Sequence, residues 1–120
     1  MRSAHICFLR AETPKYYAVK ILTAHATKGH HDGHLLELEV MQAVTSFKPL
    51  KLPRLYDHFE IDGPHGRHLC LVSRVLSGSV NSFRRSAPSK SLDTPKVKII
   101  VAEVVEALIQ LHAAKLIHTG

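Results

Sequence analysis

With 120 residues, 45% of them hydrophobic, and a mean hydropathy near zero, the chain has the make-up of an ordinary globular protein long enough for one domain with a core. Lys and Arg outnumber Asp and Glu by 16 to 10, a formal charge of +6, but the cations are scattered, so charge alone does not make this a nucleic-acid-binding protein. Cys7 and Cys70 stand far apart in apolar stretches, which excludes a disulfide framework and reads as buried thiols of a cytoplasmic or nuclear protein; no stretch has the length of a membrane span or the make-up of a secretory signal.

In chain order, residues 6–9 and 16–22 are apolar, β-branched or aromatic runs joined by a polar connection containing Pro14, the pattern of an antiparallel pair. Residues 23–33 read as a polar, His-rich loop. Residues 34–44 combine good helix formers with Leu36, Val40, Ala43 and Val44 on one helical face, and the stretch 46–53, with Pro49 and Pro53, ends that helix. Residues 54–61 alternate as a half-buried strand does, 62–66 turn around Gly63-Pro64, and 68–72 return as a more continuously apolar strand, which predicts a hairpin.

A Ser-, Arg- and Lys-rich stretch over 77–93 is expected to hold a short helix near 80–85. The last element is the clearest. Thr94 suits an N-cap and Pro95 the first helical position, and Val97, Ile100, Val101, Val104, Leu108 and Leu111 recur at three and four residues with neither Gly nor Pro between 96 and 115. The Val97, Val104, Leu108 and Leu111 stripe is expected to bury against something, yet so small a domain offers little surface to cover it, and the chain reads as an incomplete folding unit. There is no internal repeat and no low-complexity tract.

The order strand, strand, helix, strand, strand, connector, long helix carries Tyr17-Ala18-Val19-Lys20, Leu55-Tyr56-Asp57-His58-Phe59, the hairpin Gly63-Pro64-His65-Gly66-Arg67-His68-Leu69-Cys70-Leu71-Val72 and a terminal Ile117-His118-Thr119. In these motifs the chain resembles the protein kinases specific for serine/arginine-rich proteins, particularly fungal members of that group. The resemblance implies an α+β fold: a partial kinase small lobe and hinge over 1–76, lacking the Gly-rich loop, then the start of the large lobe over 77–120, ending at the catalytic-loop motif. It implies a serine/threonine kinase that transfers the ATP γ-phosphate to Arg/Ser-rich splicing factors with Mg-ATP as cofactor, and neither a membrane nor direct nucleic acid as partner.

On this resemblance Lys20 would reach the α- and β-phosphates of ATP, and a helix carboxylate, Glu37 with Glu39 as its rival, would hold it in place. Ala18 and either Ile6 or His5 would line the adenine pocket, Ser73 would control its depth, and the backbone of Arg74, Val75 and Leu76 would meet the adenine edge. Met41 and Leu55 would join the apolar column behind the nucleotide. His118 would shape the catalytic loop. The aspartate implied two residues later, which handles the substrate hydroxyl proton, is replaced by Gly120, and the magnesium ligands are missing from the sequence.

Small Ser73 and basic Arg74 also depart from the bulky and acidic residues implied there. The chain alone is therefore expected to be a fragment without catalytic activity, and a pseudokinase or interaction module without phosphoryl transfer is the alternative. Two other readings compete from residues alone: a metal site among His25, His30, His31 and His34, and a nucleic-acid surface of Arg84, Arg85, Lys90, Lys96 and Lys98. The first lacks cysteine partners and the second lacks interleaved aromatic residues.

Overall fold

A computed structural model describes residues 4–10, 16–48 and 51–117, with side chains described from Tyr16 onward. Two compact units emerge, one of Met1–Pro49 with Pro53–Val75, the other of Leu50–Leu52 with Leu76–Gly120. The first is an α+β unit of β1 (Ala4–Arg10), β2 (Tyr16–Leu22), α1 (Ala24–His31), α2 (Glu37–Ser46), β3 (Leu55–Gly63) and β4 (Gly66–Arg74). Its four strands form an antiparallel sheet in the order β1-β2-β4-β3. β3 and β4 form the expected hairpin. Gly63 pairs with Gly66 across Pro64-His65, and Gly66 holds a φ of 119° that side chains at Cβ disfavour.

Because side chains alternate along a strand, Leu22 on β2 and Leu69 and Leu71 on β4 can share one sheet face. The core gathers there: Ala26 of α1, Leu38 of α2 and Leu55 of β3 join these leucines, with Met41 packed against them. Cys70 is fully buried, whereas the side chain of Cys7 lies outside the described residues.

The stretch read as a His-rich loop is mostly the helix α1. Thr23 caps it, its hydroxyl accepting from the Ala26 N–H at 3.2 Å, and Gly33 stops it with a φ of 75° while its N–H donates to the His30 carbonyl at 3.0 Å. Composition hides this helix, since Gly29 and three histidines are poor formers. Tertiary contacts supply the rest. Thr27 is the buried polar residue among the described ones; its hydroxyl donates to the Thr23 carbonyl (3.0 Å) and accepts from the Leu69 N–H of β4 (2.9 Å). Thr27→Val keeps the shape but leaves that buried N–H unpaired, so we expect a loss of about 1–3 kcal/mol in urea unfolding, and Thr27→Ser a smaller one.

α2 begins at Glu37, three residues later than the pattern suggests, with Leu36 as its exposed N-cap residue. The face it buries is consequently Leu38, Met41 and Val44, while Val40 points to solvent. β3 also departs from the half-buried expectation. It is an edge strand, only Leu55 is buried, and a register shift between Leu55 and Asp57 sets Tyr56 apart, its ring edge-on to Tyr17 at 5.7 Å. Asp57, His58, Glu60 and Asp62 along this edge discourage further strand pairing.

The second unit contains α3 (Val80–Ser86) and α4 (Thr94–Ala113). Asp93, not Thr94, is the N-cap residue of α4, with Pro95 in the first turn as expected. The Lys96 ammonium, 2.9 Å from Asp93, donates to its carboxylate and holds it below the usual carboxylate range. Lys51 reaches Glu103 at 2.6 Å, and its N–H donates to Gln110 at 3.4 Å. The expected burial of the apolar stripe does not occur: neither helix of this unit has a buried residue, and Val97 and Val104 are exposed. Among its described residues this unit has helices and no strand against which such a stripe could close.

Candidate functional site

Lys20 sits in the middle of β2, opposite Ile6 on β1 and Leu71 on β4. Alternation gives it the same sheet face as Ala18 and as the core leucines below α2. From α2, Glu37 reaches back, and the Lys20 ammonium donates to Glu37 Oε1. Both side chains are 39% exposed, so the pair is held by protein on one side and open to a ligand on the other. Glu39, the rival carboxylate, turns elsewhere, its Oε2 lying 3.5 Å from His30 Nδ1. Among the described residues the ammonium of Lys20 is thus fixed by a single carboxylate from a helix, with donors left for an anion.

The other residues singled out from sequence fall in three places. Ala18 and Ser73 stand directly opposite each other on β2 and β4, within two residues of Lys20 along the sheet. Ile6 is the cross-strand neighbour of Lys20, His5 that of Ile21, and Phe8 that of Ala18, so register sets Phe8 rather than Ile6 beside the alanine. Arg74 pairs with Tyr17 and so belongs to the opposite face of the sheet. Val75 follows half-buried at the end of the first unit, and Leu76 opens the second with its side chain exposed. Met41 and Leu55 both meet the core cluster behind Lys20. His118 and Gly120 lie outside the described residues.

The histidines assemble otherwise than a metal site requires. His31 Nε2 donates to Glu60 at 2.5 Å, His30 lies against the Leu35 carbonyl at 3.2 Å, and His68 Nδ1 donates to the Leu22 carbonyl at 2.9 Å. Among the described residues no three metal-ligating groups come together. Arg84 is engaged locally, donating to the Lys90 carbonyl and to Asn81, each at 2.9 Å, and Lys96 is paired with Asp93. No helix among the described residues is long and apolar enough to cross a membrane. The contacts of His30 and His31 with Glu39 and Glu60, which tie α1 to α2 and β3, carry no sequence signal, because they depend on a helix that composition conceals.

No family model matches the chain. Individual relatives do. Over 86 residues, 69% of this chain and 13% of the relative, it is 28% identical to a probable serine/threonine-protein kinase sky1 of Dictyostelium discoideum. Over 87 residues, 69% of this chain and 20% of the relative, it is 29% identical to the serine/threonine-protein kinase SRPK of Physarum polycephalum. Over 112 residues, 88% of this chain and 19% of the relative, it is 30% identical to SRSF protein kinase 3 of Mus musculus. The chain thus spans a fifth or less of the length of these curated relatives. Similarity to kinases of one kind across most of its residues makes it a homologue of the SR-protein kinases, carrying part of a domain of that kind.

Proposed function

We propose that the sheet unit is the nucleotide-holding part of a serine/threonine protein kinase small lobe, that the second unit begins the large lobe, and that Lys20 binds the phosphates of ATP. The Lys20–Glu37 ion pair carries this reading, because it joins a strand-borne ammonium to a helix carboxylate on the sheet face that also holds Ala18 and Ser73. A compact ammonium with free donors, held at one site yet open to solvent, suits phosphate oxygens. Glu37 keeps it there and so avoids the entropy of ordering a flexible side chain when the nucleotide arrives.

Bound ATP supplies the transferable phosphoryl group, and the acceptors proposed are Ser or Thr hydroxyls of Arg/Ser-rich proteins, in the cytoplasm or nucleus. The described residues fit the nucleotide but not its magnesium, for which they bring no ligand cluster together. Ala18 and Ser73, both small and directly opposite each other, would line the adenine site, whose edge the backbone of Arg74 and Val75 would meet. Gly120 favours a second reading for the chain as it stands, nucleotide binding without transfer, since glycine has no carboxylate to take the acceptor proton.

Isothermal titration of the 120-residue protein with ATP, with and without Mg, tests the proposal. We expect saturable binding that ADP displaces, and no phosphate incorporation into an Arg-Ser repeat peptide. A folded protein that binds no nucleotide at millimolar concentration would overturn the ATP site, and transfer to the peptide would overturn the inactivity assigned to Gly120.

A further inference from the structure

His30 stands in the last turn of α1 with its side chain only 14% exposed. Its Nδ1 lies 3.2 Å from the carbonyl of Leu35, two residues before Glu37, and 3.5 Å from Oε2 of Glu39, two residues after it. A carbonyl and a carboxylate can only accept, so Nδ1 carries the proton and donates, which fixes the tautomer of the neutral ring. One N–H thus grips the chain on either side of Glu37.

The helix that offers this N–H is itself fixed to the sheet that carries Lys20. The Thr27 hydroxyl accepts from the Leu69 N–H of β4 at 2.9 Å, and Ala26 packs into the core cluster. Backbone bonds fasten the linker only as far as Leu35: the Gly29 carbonyl accepts from the N–H groups of His34 at 2.8 Å and Leu35 at 3.1 Å. α2 then starts behind Leu36, which makes no side-chain cap bond. Two other tethers of α2, Thr45 to the Leu55 N–H at 2.8 Å and Gln42 to His58 at 3.2 Å, sit toward its far end. Beside Glu37, among the described residues, His30 is therefore the hydrogen-bonding side chain that ties α2 to α1.

We propose that His30 is a positioning residue for the Lys20–Glu37 pair: by holding the Leu35 carbonyl and Glu39 it sets where α2 begins, and so keeps the Glu37 carboxylate within reach of the ammonium. His31, the next residue, bonds Glu60 of β3 at 2.5 Å and supplies a control of the same chemistry on the same helix. That His30 serves nucleotide binding rests on the proposed ATP site; that it positions the pair does not.

Zero-length carbodiimide coupling of the full chain, with the product located by peptide mass spectrometry, tests the positioning without nucleotide, because Lys20 and Glu37 join as an amide only when they touch. His30→Leu should lower the Lys20–Glu37 yield about three- to tenfold, the range that one net hydrogen bond covers. Leucine is the better helix former, so a weakened α1 does not account for such a loss. His30→Asn should restore the yield, since its amide nitrogen reaches the place of Nδ1 and donates as it does. Glu39→Ala, which removes one acceptor from a half-exposed position, should act like His30→Leu but less strongly. His31→Leu should leave the yield unchanged. ATP affinity, read by titration of the same variants, should fall in His30→Leu and return in His30→Asn. Wild-type yield in both His30→Leu and Glu39→Ala, no recovery in His30→Asn, an equal loss in His31→Leu, or a wild type that does not couple would overturn the inference. Coupling in the expected order from a wild type that binds no ATP would uphold the positioning and remove only the ATP site.

Discussion

Lys20→Met should weaken ATP binding roughly 10- to 100-fold or more, as measured by titration calorimetry, while leaving the fold intact. A hydrogen bond to a charged group contributes on the order of 1.5–3 kcal/mol, and each 1.4 kcal/mol is about tenfold in affinity. Methionine keeps the length and apolar stem of lysine and removes only the ammonium. Because the Lys20–Glu37 pair is 39% exposed on each side, its loss costs the folded state little, and thermal unfolding should shift by no more than a few degrees. Glu37→Gln should act in the same direction but less strongly, since the ammonium stays and only its orientation is lost. Equal affinities for wild type and Lys20→Met would remove the residue from the nucleotide site.

Leu71→Ala should have the largest effect on stability, a loss of about 2–5 kcal/mol in denaturant unfolding. Leu71 is 1% exposed at the centre of the sheet, between β2 and β3, and touches the cluster to which α1 and α2 contribute Ala26 and Leu38. The neighbouring strands are fixed by their ladder hydrogen bonds and cannot close the space left behind. For a small domain whose whole stability is about 5–15 kcal/mol, the loss is a large fraction, and partial unfolding at 37 °C is the expected outcome. A change below about 1 kcal/mol would mean that the cluster is not the core of the sheet unit.

What the sequence made legible was what is decided locally. Gly63-Pro64-His65-Gly66 sets its own turn, and the flanking runs follow from it. Thr94-Pro95 ahead of a long stretch without Gly or Pro locates α4 within a residue. α1 was not legible, because what holds it is Thr27 bonding to Leu69, 42 residues away, and Ala26 packing under the sheet. The face of α2 was displaced for a related reason. Leu36 is apolar and at helical spacing, yet it precedes the first helical residue, and pattern alone cannot tell a cap from a core position. The resemblance singles out Glu37 with Glu39 as its rival, and it is His30, on the helix that composition concealed, that engages Glu39.

Ala26 and Thr27 fasten α1 beneath the sheet, and the arm that carries Glu37 is therefore short. It spans only residues 32–36, with Gly33 at a φ of 75° and open space around its α-carbon. A swing of α2 that parts Glu37 from Lys20 has to turn about that glycine while α1 stays moored. The reach of the carboxylate is then governed by the slack in a few linking residues, and stiffening or loosening this pivot would tune the ion pair without touching either of its members.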